Sequence, residues 1–221
     1  MRDGTLLYAV SVAPRDAFPT YRKLALPANV RVDTLVVNGA ECEPYLTSDY
    51  SVMLSQPTEV IQGALAMARI LGVARVLVGV EVDKAPAVEK LRSAIAETSL
   101  DGASIEVVPC EVRYPQGAER QLVTALTGRV VPPRALPTAV HVLVQNVATA
   151  AAVHEAIRFR KPLLDRVVTV SGDGIAQPKN LRVPVGTLLS QLVAFCGGMR
   201  PDTTRLIAGG PGGLVTLSTR A

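Results

Sequence analysis

Three short segments carry side chains that can hydrogen-bond a small polar molecule, and the first two also contain a glycine. They read NGAECEPY at residues 38–45, YPQGAE at 114–119 and QNVAT at 145–149. Glycine lets a backbone approach a planar ligand closely. Asparagine and threonine can bind the polar edge of a heterocycle or a ribityl chain, and carboxylates can accept hydrogen bonds from ribose hydroxyls. The segments are therefore candidates for a nucleotide-binding site.

Each segment also has a purely structural interpretation. Asn146 precedes a predicted helix, and asparagine is favoured as an N-cap residue. Glu41 and Glu43 fit a solvated loop equally well, and glycine-rich turns are common where strands end. Taken singly, none of the three segments distinguishes a ligand site from ordinary turn chemistry.

The elements that must position these segments alternate between apolar runs and stretches with helical spacing. Such alternation predicts an α/β fold with a mostly parallel sheet covered on both faces. Open sheets of this kind bind ligands at the carboxyl ends of their strands, which is where the three segments fall. The stretch after Pro44 has no clear period and is predicted to be irregular. The predicted strands are 6–12, 34–37, 75–82, 104–108 and 141–144, and the predicted helices are 58–71, 84–98, 117–127 and 147–158.

The pattern changes after Pro162. Two predicted strands, 166–170 and 181–185, are joined by a turn-rich segment and followed by a short helix at 187–195 and a strand at 206–208. This order differs from the preceding alternation. We therefore expect two domains, at residues 1–162 and 163–221.

Composition excludes several classes of function. Hydrophobic residues make up 48% of the chain, which is enough for a packed core, but no run long enough to span a membrane is free of charges and breakers. The three cysteines form no C-x-x-C pair, so no iron–sulfur cluster or zinc ribbon is expected in this chain. The net charge of +4 is scattered and tryptophan is absent, which argues against nucleic-acid binding.

Taken together and in order, these segments resemble the RnfC family, the C subunit of the Rnf electron-transport complex. The segments FPTYRKL at 18–24 and VVTVSGD at 167–173 match as well, and the resemblance extends from residue 18 to residue 211. That family is similar to the complex I protein that passes hydride from NADH to FMN. The resemblance implies a Rossmann-like FMN-binding domain followed by a small β-grasp domain of the soluble-ligand-binding type.

The resemblance also implies roles for individual residues. Lys23 would approach the flavin phosphate. The residues implied to contact FMN are Asn38, Glu41, Gly117, Asn146 and Thr149. Phe18, Glu43 and Glu119 would face NADH. No acid–base residue is assigned, because in such proteins the flavin carries the hydride and the protein positions it.

The sequence departs from the family where a glycine-rich loop normally precedes FPT. Residues 12–17 read VAPRDA, without a glycine. Pro14 has no N–H to offer a phosphate, and Asp16 adds a negative charge, so weakened FMN binding is expected. Ala118 also replaces a carboxylate of the complex I relatives, the last glycine of a G-G-P-x-x-G motif is replaced by Leu214, and the family's C-terminal C-x-x-C motifs do not occur.

The function implied is electron transfer from NADH through FMN to iron–sulfur clusters outside this chain. The partners implied are the other subunits of a membrane-bound electron-transport complex and an iron–sulfur protein or domain as acceptor. The chain would be cytoplasmic and associated with the membrane through those subunits. The alternative is a decayed, non-catalytic scaffold or a ligand-binding member of a redox assembly.

Overall fold

The computed structural model describes residues 30–100 and 102–209 and the backbone of 215–217. The predicted strand at 6–12, the loop at 12–17, Phe18 and Lys23 lie outside the described residues. Within the described part of the chain, none of the helices combines the length and apolar character needed to cross a membrane.

Between residues 30 and 146, the described part of the chain forms a four-stranded sheet. All neighbouring strands run parallel, in the order β3-β2-β1-β4. Successive central residues such as Leu35, Val36 and Val37 are inaccessible because the sheet is covered on both faces. The strands are β1 (Thr34–Gly39), β2 (Arg75–Glu81), β3 (Ser104–Cys110) and β4 (Val142–Asn146).

Helices within the described residues cover this sheet, which confirms the predicted α/β architecture. Apolar residues of α1, α2, α3 and α5 pack on one face, and Leu122 and Val123 of α4 pack on the other. Short 3-10 turns occupy Val82–Lys84 and Pro137–Val140. The helices are α1 (Ser48–Ser55), α2 (Pro57–Leu71), α3 (Ala85–Ala96), α4 (Glu119–Thr127) and α5 (Val147–Phe159).

The strand order places a topological switch point beside β1. The chain passes from β1 to β2 and β3 on one side, then returns through α4 to β4 on the other side. Adjacent strand ends whose connections diverge leave a crevice at the carboxyl edge of the sheet. Asn38 of β1 and Asn146 of β4 are register partners at this point.

Two predictions in this region are wrong in detail. The stretch after Pro44 is not wholly irregular, because Ser48–Ser55 forms α1. This helix buries only Val52 and Met53, so its sequence carries little periodic signal. The helix predicted at 117–127 starts at Glu119 rather than Gly117, because Ala118 has extended backbone angles and acts as its N-cap.

The second part of the fold is built differently. β5 (Asp165–Val170) and β6 (Lys179–Pro184) form an antiparallel pair, followed by α6 (Leu189–Phe195). A second antiparallel pair joins β7 (Leu206–Ala208) to β8 (Val215–Leu217), and the sequence pattern did not indicate β8. The change from parallel to antiparallel pairing agrees with two units, while the boundary at residue 162 stays a prediction.

An ion-pair network joins α5 to the β5–β6 hairpin. Arg182 pairs with Glu155 and Asp165, each at 2.8 Å, and Lys161 contacts the same two carboxylates at 2.8 and 3.1 Å. Burial alone would raise the pKa of Glu155 and of Asp165. The hydrogen bonds from Lys161 and Arg182 outweigh burial and hold both pKa values below their usual range.

Helices α2 and α5 approach each other very closely at Gly63. A Cβ atom at this position would overlap the backbone carbonyl of Ala150. A residue with any side chain therefore cannot occupy this crossing without moving one helix. The position of α5, which begins directly after Asn146, thus depends on the absence of a side chain at residue 63.

We predict that Gly63→Ala lowers the free energy of unfolding by about 1–3 kcal/mol, although alanine is the better helix former. Urea unfolding followed by circular dichroism measures the change. Gln62→Ala, at an exposed position of the same helix, serves as the control and should be nearly neutral. A Gly63→Ala variant as stable as the wild type would contradict the close helix contact.

Candidate functional site

Asn38 and Asn146 form the centre of the candidate site, side by side at the ends of β1 and β4. The side-chain amide of Asn38 donates to the carbonyl of Gly117 (2.8 Å) and its oxygen accepts from the amide of Ala40 (3.0 Å). The oxygen of Asn146 accepts from the amide of Ala148 (2.8 Å), so Asn146 is the N-cap of α5. Both side chains are therefore held in fixed orientations by backbone groups.

Gly117 connects the loop before α4 to the loop after β1. A Cβ atom there would overlap the carbonyl oxygen of Ala40 and lie 3.2 Å from the Sγ atom of Cys42. The two loops therefore meet backbone to backbone. Their contact brings the segments 38–45 and 114–119 together, as the sequence predicted for strand-end segments.

Glu41 stabilises α1, the helix that was not predicted. Its carboxylate accepts hydrogen bonds from the Ser48 hydroxyl (3.0 Å), the Asp49 amide (3.0 Å) and the Tyr50 amide (3.2 Å). These amides belong to the first turn of α1, whose N-cap residue makes no side-chain capping bond. An acceptor from outside the helix thus satisfies donors that would otherwise lack partners.

Asp49 links α1 to the second asparagine. Its Oδ2 atom accepts from the side-chain amide of Asn146 at 2.6 Å. Burial raises the pKa of Asp49 to about 6, and the charge of Glu41 adds to the rise, while the hydrogen bond from Asn146 opposes it. Asp49 was not among the predicted site residues, because nothing in the sequence around it indicates a contact with a residue 97 positions away.

A second buried carboxylate lies at the end of β2. The side chain of Glu81 is 3% exposed, and burial, followed by the charge of Asp83, raises its pKa above the usual range. Lys84 opposes this rise and lies 5.6 Å from the centre of the Tyr50 ring. Glu81 was not predicted as a site residue because it ends an otherwise apolar strand.

Glu43 lies beside an exposed aromatic ring. The hydroxyl of Tyr114 donates to Glu43 over 3.5 Å, and 57% of the tyrosine is exposed. The negative charge of Glu43 is the main reason that the pKa of Tyr114 is raised. Tyr114 belongs to the second sequence motif, but no role was predicted for it.

The remaining predicted residues among those described lie at helix N-termini. Thr149, in the first turn of α5, accepts a hydrogen bond from Arg166 of β5 at 3.3 Å. Glu119 is the exposed first residue of α4, where a negative charge is favourable. Of the predicted site residues, Asn38 contacts Gly117 directly, and Glu41 and Asn146 both contact Asp49. Thr149 contacts Arg166 of the second unit.

The donor set suits an organic cofactor better than a metal. Side-chain amide nitrogens at two strand ends and the N-terminus of α5 are groups that can bind the polar edge and chain of an organic cofactor. Among the residues that the structure describes, no group of three or more His, Cys, Asp or Glu side chains could hold a metal ion.

Comparison with known proteins identifies the class of protein to which this fold and this candidate site belong. Residues 13–155 match the model of the Nuo51 FMN-binding domain, and residues 167–216 match the SLBB domain. The chain belongs to the Nuo51 FMN-binding domain family. The Rossmann-like domain and the following SLBB domain expected from the sequence are thus confirmed.

Within this class the chain is similar to the C subunits of ion-translocating Rnf-type oxidoreductases. It is 42% identical over 194 residues to the C subunit of the proton-translocating ferredoxin:NAD(+) oxidoreductase complex of Clostridium ljungdahlii. It is 46% identical over 197 residues to the C subunit of the ion-translocating oxidoreductase complex of Rhodobacter capsulatus. Each match covers 88% of this chain but only 41% and 37% of the respective relative.

Solved structures share the fold at lower identity. A chain of an NAD+-reducing [NiFe]-hydrogenase in the H2-reduced state superimposes with a TM-score of 0.76 at 23% identity, covering 99% of this chain and 43% of that one. At this identity the likeness shows the fold alone. The expected family and fold are confirmed, and the ligand roles of the individual residues stay predictions.

We predict opposite pH effects for two Asp→Asn substitutions. The folded-state pKa of Asp49, about 6, lies above its ordinary value of 3.8. The folded chain therefore binds the proton more tightly than the unfolded chain, and the stability contributed by Asp49 falls as pH rises between these values. Asp49→Asn keeps an acceptor for Asn146 and should gain about 2–3 kcal/mol relative to the wild type from about pH 4 to pH 7.

Asp33→Asn is the matched control. The hydrogen bond from Arg129 lowers the pKa of Asp33, so this carboxylate stabilises the fold above its usual pKa. The relative stability of Asp33→Asn should therefore fall as pH rises towards 3.8 and change little from about pH 4 to pH 7. Urea unfolding at several pH values measures both, and parallel pH profiles for the two variants would contradict the assignment of Asp49.

Proposed function

We propose that this chain is the FMN- and NADH-binding core of an RnfC-type protein. In this proposal, electrons from NADH leave the flavin for iron–sulfur clusters outside the chain. The observation that carries the proposal is the pairing of Asn38 and Asn146 at the switch point of the sheet, with the Gly117 loop closed over Asn38. Membership of the Nuo51 FMN-binding domain family supports it.

The proposed flavin contacts come from the strand ends. The side-chain amides of Asn38 and Asn146 each use one N–H for a hydrogen bond within the protein, which fixes the side chain. The second N–H of each amide is proposed to donate to the flavin. Gly117, whose carbonyl accepts from Asn38, is proposed as a further contact, together with Thr149 of α5 and Glu41 beside α1. Lys23 is proposed for the phosphate on the basis of the family resemblance alone.

The proposed NADH contacts are Glu43, Glu119 and Phe18. The Tyr114 ring beside Glu43 adds an exposed aromatic surface on which a base or nicotinamide can stack. Glu43 and Tyr114 stand on different loops. Their contact gives the proposed dinucleotide surface both a carboxylate and a ring.

A bound flavin would supply the redox chemistry, accepting a hydride and releasing electrons one at a time. The residues of this chain bind and orient, and none is proposed to transfer a proton. Burial raises the pKa values of Asp49 and Glu81, so negative charge is unfavourable near the strand ends. The amide donors of Asn38 and Asn146 offset that effect for an electron-rich ligand.

The partners proposed are the other subunits of a membrane-bound electron-transport complex, with an iron–sulfur protein or domain as acceptor. The names of two relatives, which are C subunits of ion-translocating ferredoxin:NAD(+) oxidoreductase complexes, support the proposal of partner subunits. The proposed location is the cytoplasmic face of a membrane, held through those subunits.

We predict that the purified chain binds FMN saturably and that anaerobic NADH then bleaches the flavin absorbance. Gly117→Ala should weaken FMN binding at least about tenfold, because its methyl group forces the two loops apart. Gly102→Ala adds a side chain at a positive φ with open space around it and controls for a general loss of stability. Equal FMN affinity of the Gly117→Ala variant and the wild type would contradict the site.

The loop at residues 12–17, which lacks the family's glycines, offers an explanation if FMN binding is weak. If FMN binds poorly, Pro14→Gly, Arg15→Gly and Asp16→Ala together should strengthen it. The triple change restores the N–H of residue 14 and removes two bulky side chains and the negative charge of Asp16. Absence of FMN binding in both the wild type and this triple variant would favour the non-catalytic scaffold.

We predict that Glu43→Gln weakens NADH binding several-fold and leaves FMN binding nearly unchanged. The reason is that Glu43 contacts Tyr114 on the proposed dinucleotide surface and is not among the proposed flavin contacts. Glu111→Gln removes the same charge from a carboxylate that is 76% exposed and serves as the control. Equal losses for NADH and FMN would remove Glu43 from the NADH role.

A further inference from the structure

The segment that leads from Glu43 into α1 is held by the second unit of the fold. The hydroxyl of Ser171 donates to the carbonyl of Tyr45 (2.7 Å). The hydroxyl of Thr169 accepts from the backbone amide of Thr47 (3.1 Å), and the side-chain amide of Asn180 donates to the carbonyl of Thr47 (3.1 Å). Backbone groups of this segment are therefore satisfied by side chains more than a hundred residues away.

Thr169 and Asn180 act as one unit because they are partners in the β5–β6 ladder. The Thr169 hydroxyl donates to the Asn180 side-chain oxygen at 2.8 Å while it accepts from Thr47. The Thr47 hydroxyl donates to the same oxygen at 3.2 Å. The Asn180 oxygen therefore accepts from both threonine hydroxyls, and the Thr169 hydroxyl uses its one donor on Asn180 while it accepts from Thr47.

From Thr47 the contacts continue directly into the candidate site. Thr47 is the N-cap residue of α1, and the next turn contains the amides bonded to Glu41. The same turn carries Asp49, which holds Asn146 at 2.6 Å. A displacement of Thr47 therefore moves an acceptor on which Asn146 depends.

A second contact reaches the site from the same strand. Arg166 of β5 donates to the hydroxyl of Thr149 in the first turn of α5 (3.3 Å), and its positive charge acts on Asp49. Strand β5 thus contacts both the segment before α1 and the start of α5. These are the two elements that flank Asn146.

We infer that the β5–β6 hairpin is the positioning element of the candidate site, with Thr169 and Asn180 as positioning residues. The hairpin fixes the segment 45–50, and through Asp49 and Asn146 it fixes the strand-end amides. Its effect on flavin binding rests on the proposed function. The ordering of the segment is independent of any ligand.

The test compares Thr169→Val, which keeps the shape of the side chain but removes the hydroxyl, with Thr169→Ser, which keeps the hydroxyl. Thr187→Val is the matched control, because the Thr187 hydroxyl bonds the carbonyl of Pro184 within its own turn. Two quantities are measured: amide hydrogen exchange of residues 44–50 without ligand, and FMN affinity.

Thr169→Val removes the hydrogen bond from the Thr47 amide and the one to Asn180. Loss of the bond to the segment predicts roughly three- to tenfold faster exchange of residues 44–50. FMN affinity should fall by a similar factor. Thr169→Ser and Thr187→Val should behave like the wild type in both measurements. Asn180→Ala, which removes the other half of the unit, should reproduce the Thr169→Val result.

The remaining outcomes separate this inference from the proposed function. Faster exchange with unchanged FMN affinity, or unchanged exchange in both Thr169→Val and Asn180→Ala, would overturn the positioning role. If the wild type and the triple loop variant bind no FMN, the proposed function fails. The exchange of residues 44–50 then decides alone whether the hairpin positions this segment.

Discussion

β1 is hydrogen-bonded along both edges, to β2 on one side and to β4 on the other, and its central residues are inaccessible on both faces. The remaining features of the candidate site depend on this constraint. Because β1 and β4 end in register, Asn38 and Asn146 are neighbours, and each amide is oriented by a backbone contact. If β1 paired with β2 alone, Asn38 would have no register partner in β4 and would not be held beside Asn146.

Helix termini supply the second constraint on the site. The N-terminus of α5 is capped by Asn146 from within, whereas the N-terminus of α1 is capped by Glu41 from outside. The two caps are joined by the hydrogen bond between Asp49 and Asn146. A short, weakly amphipathic helix is thereby tied to the end of the sheet, and a buried carboxyl group becomes part of the connection.

The elements with a clear apolar pattern could be predicted from the sequence. Helices packed on one face show a helical period, and strands covered on both faces are continuous apolar runs. β7 was predicted with the bounds that the structure gives, and α2, β2 and α5 to within a residue at each end. α1 was missed because its stability comes from Glu41 and from packing of only two buried residues. Such stabilisation by tertiary contacts leaves no local pattern.

The same distinction applies to the candidate site. Asp49 and Glu81 were not recognisable, since their surroundings come from residues distant in sequence. The link from Thr47 to the β5–β6 hairpin required the three-dimensional structure, because threonine and asparagine in a hairpin are ordinary residues.

The helix crossing at Gly63 has a consequence for how this fold can diverge. No ligand contact is proposed for residue 63, yet its volume sets how far α5 stands from α2. A lineage that acquires a side chain at residue 63 must shift α2 or α5, and a shift of α5 displaces the asparagine at the start of that helix. Substitutions at this interior position should therefore be inherited together with compensating changes at the strand ends, so that the evolutionary history of the core and that of the site are coupled.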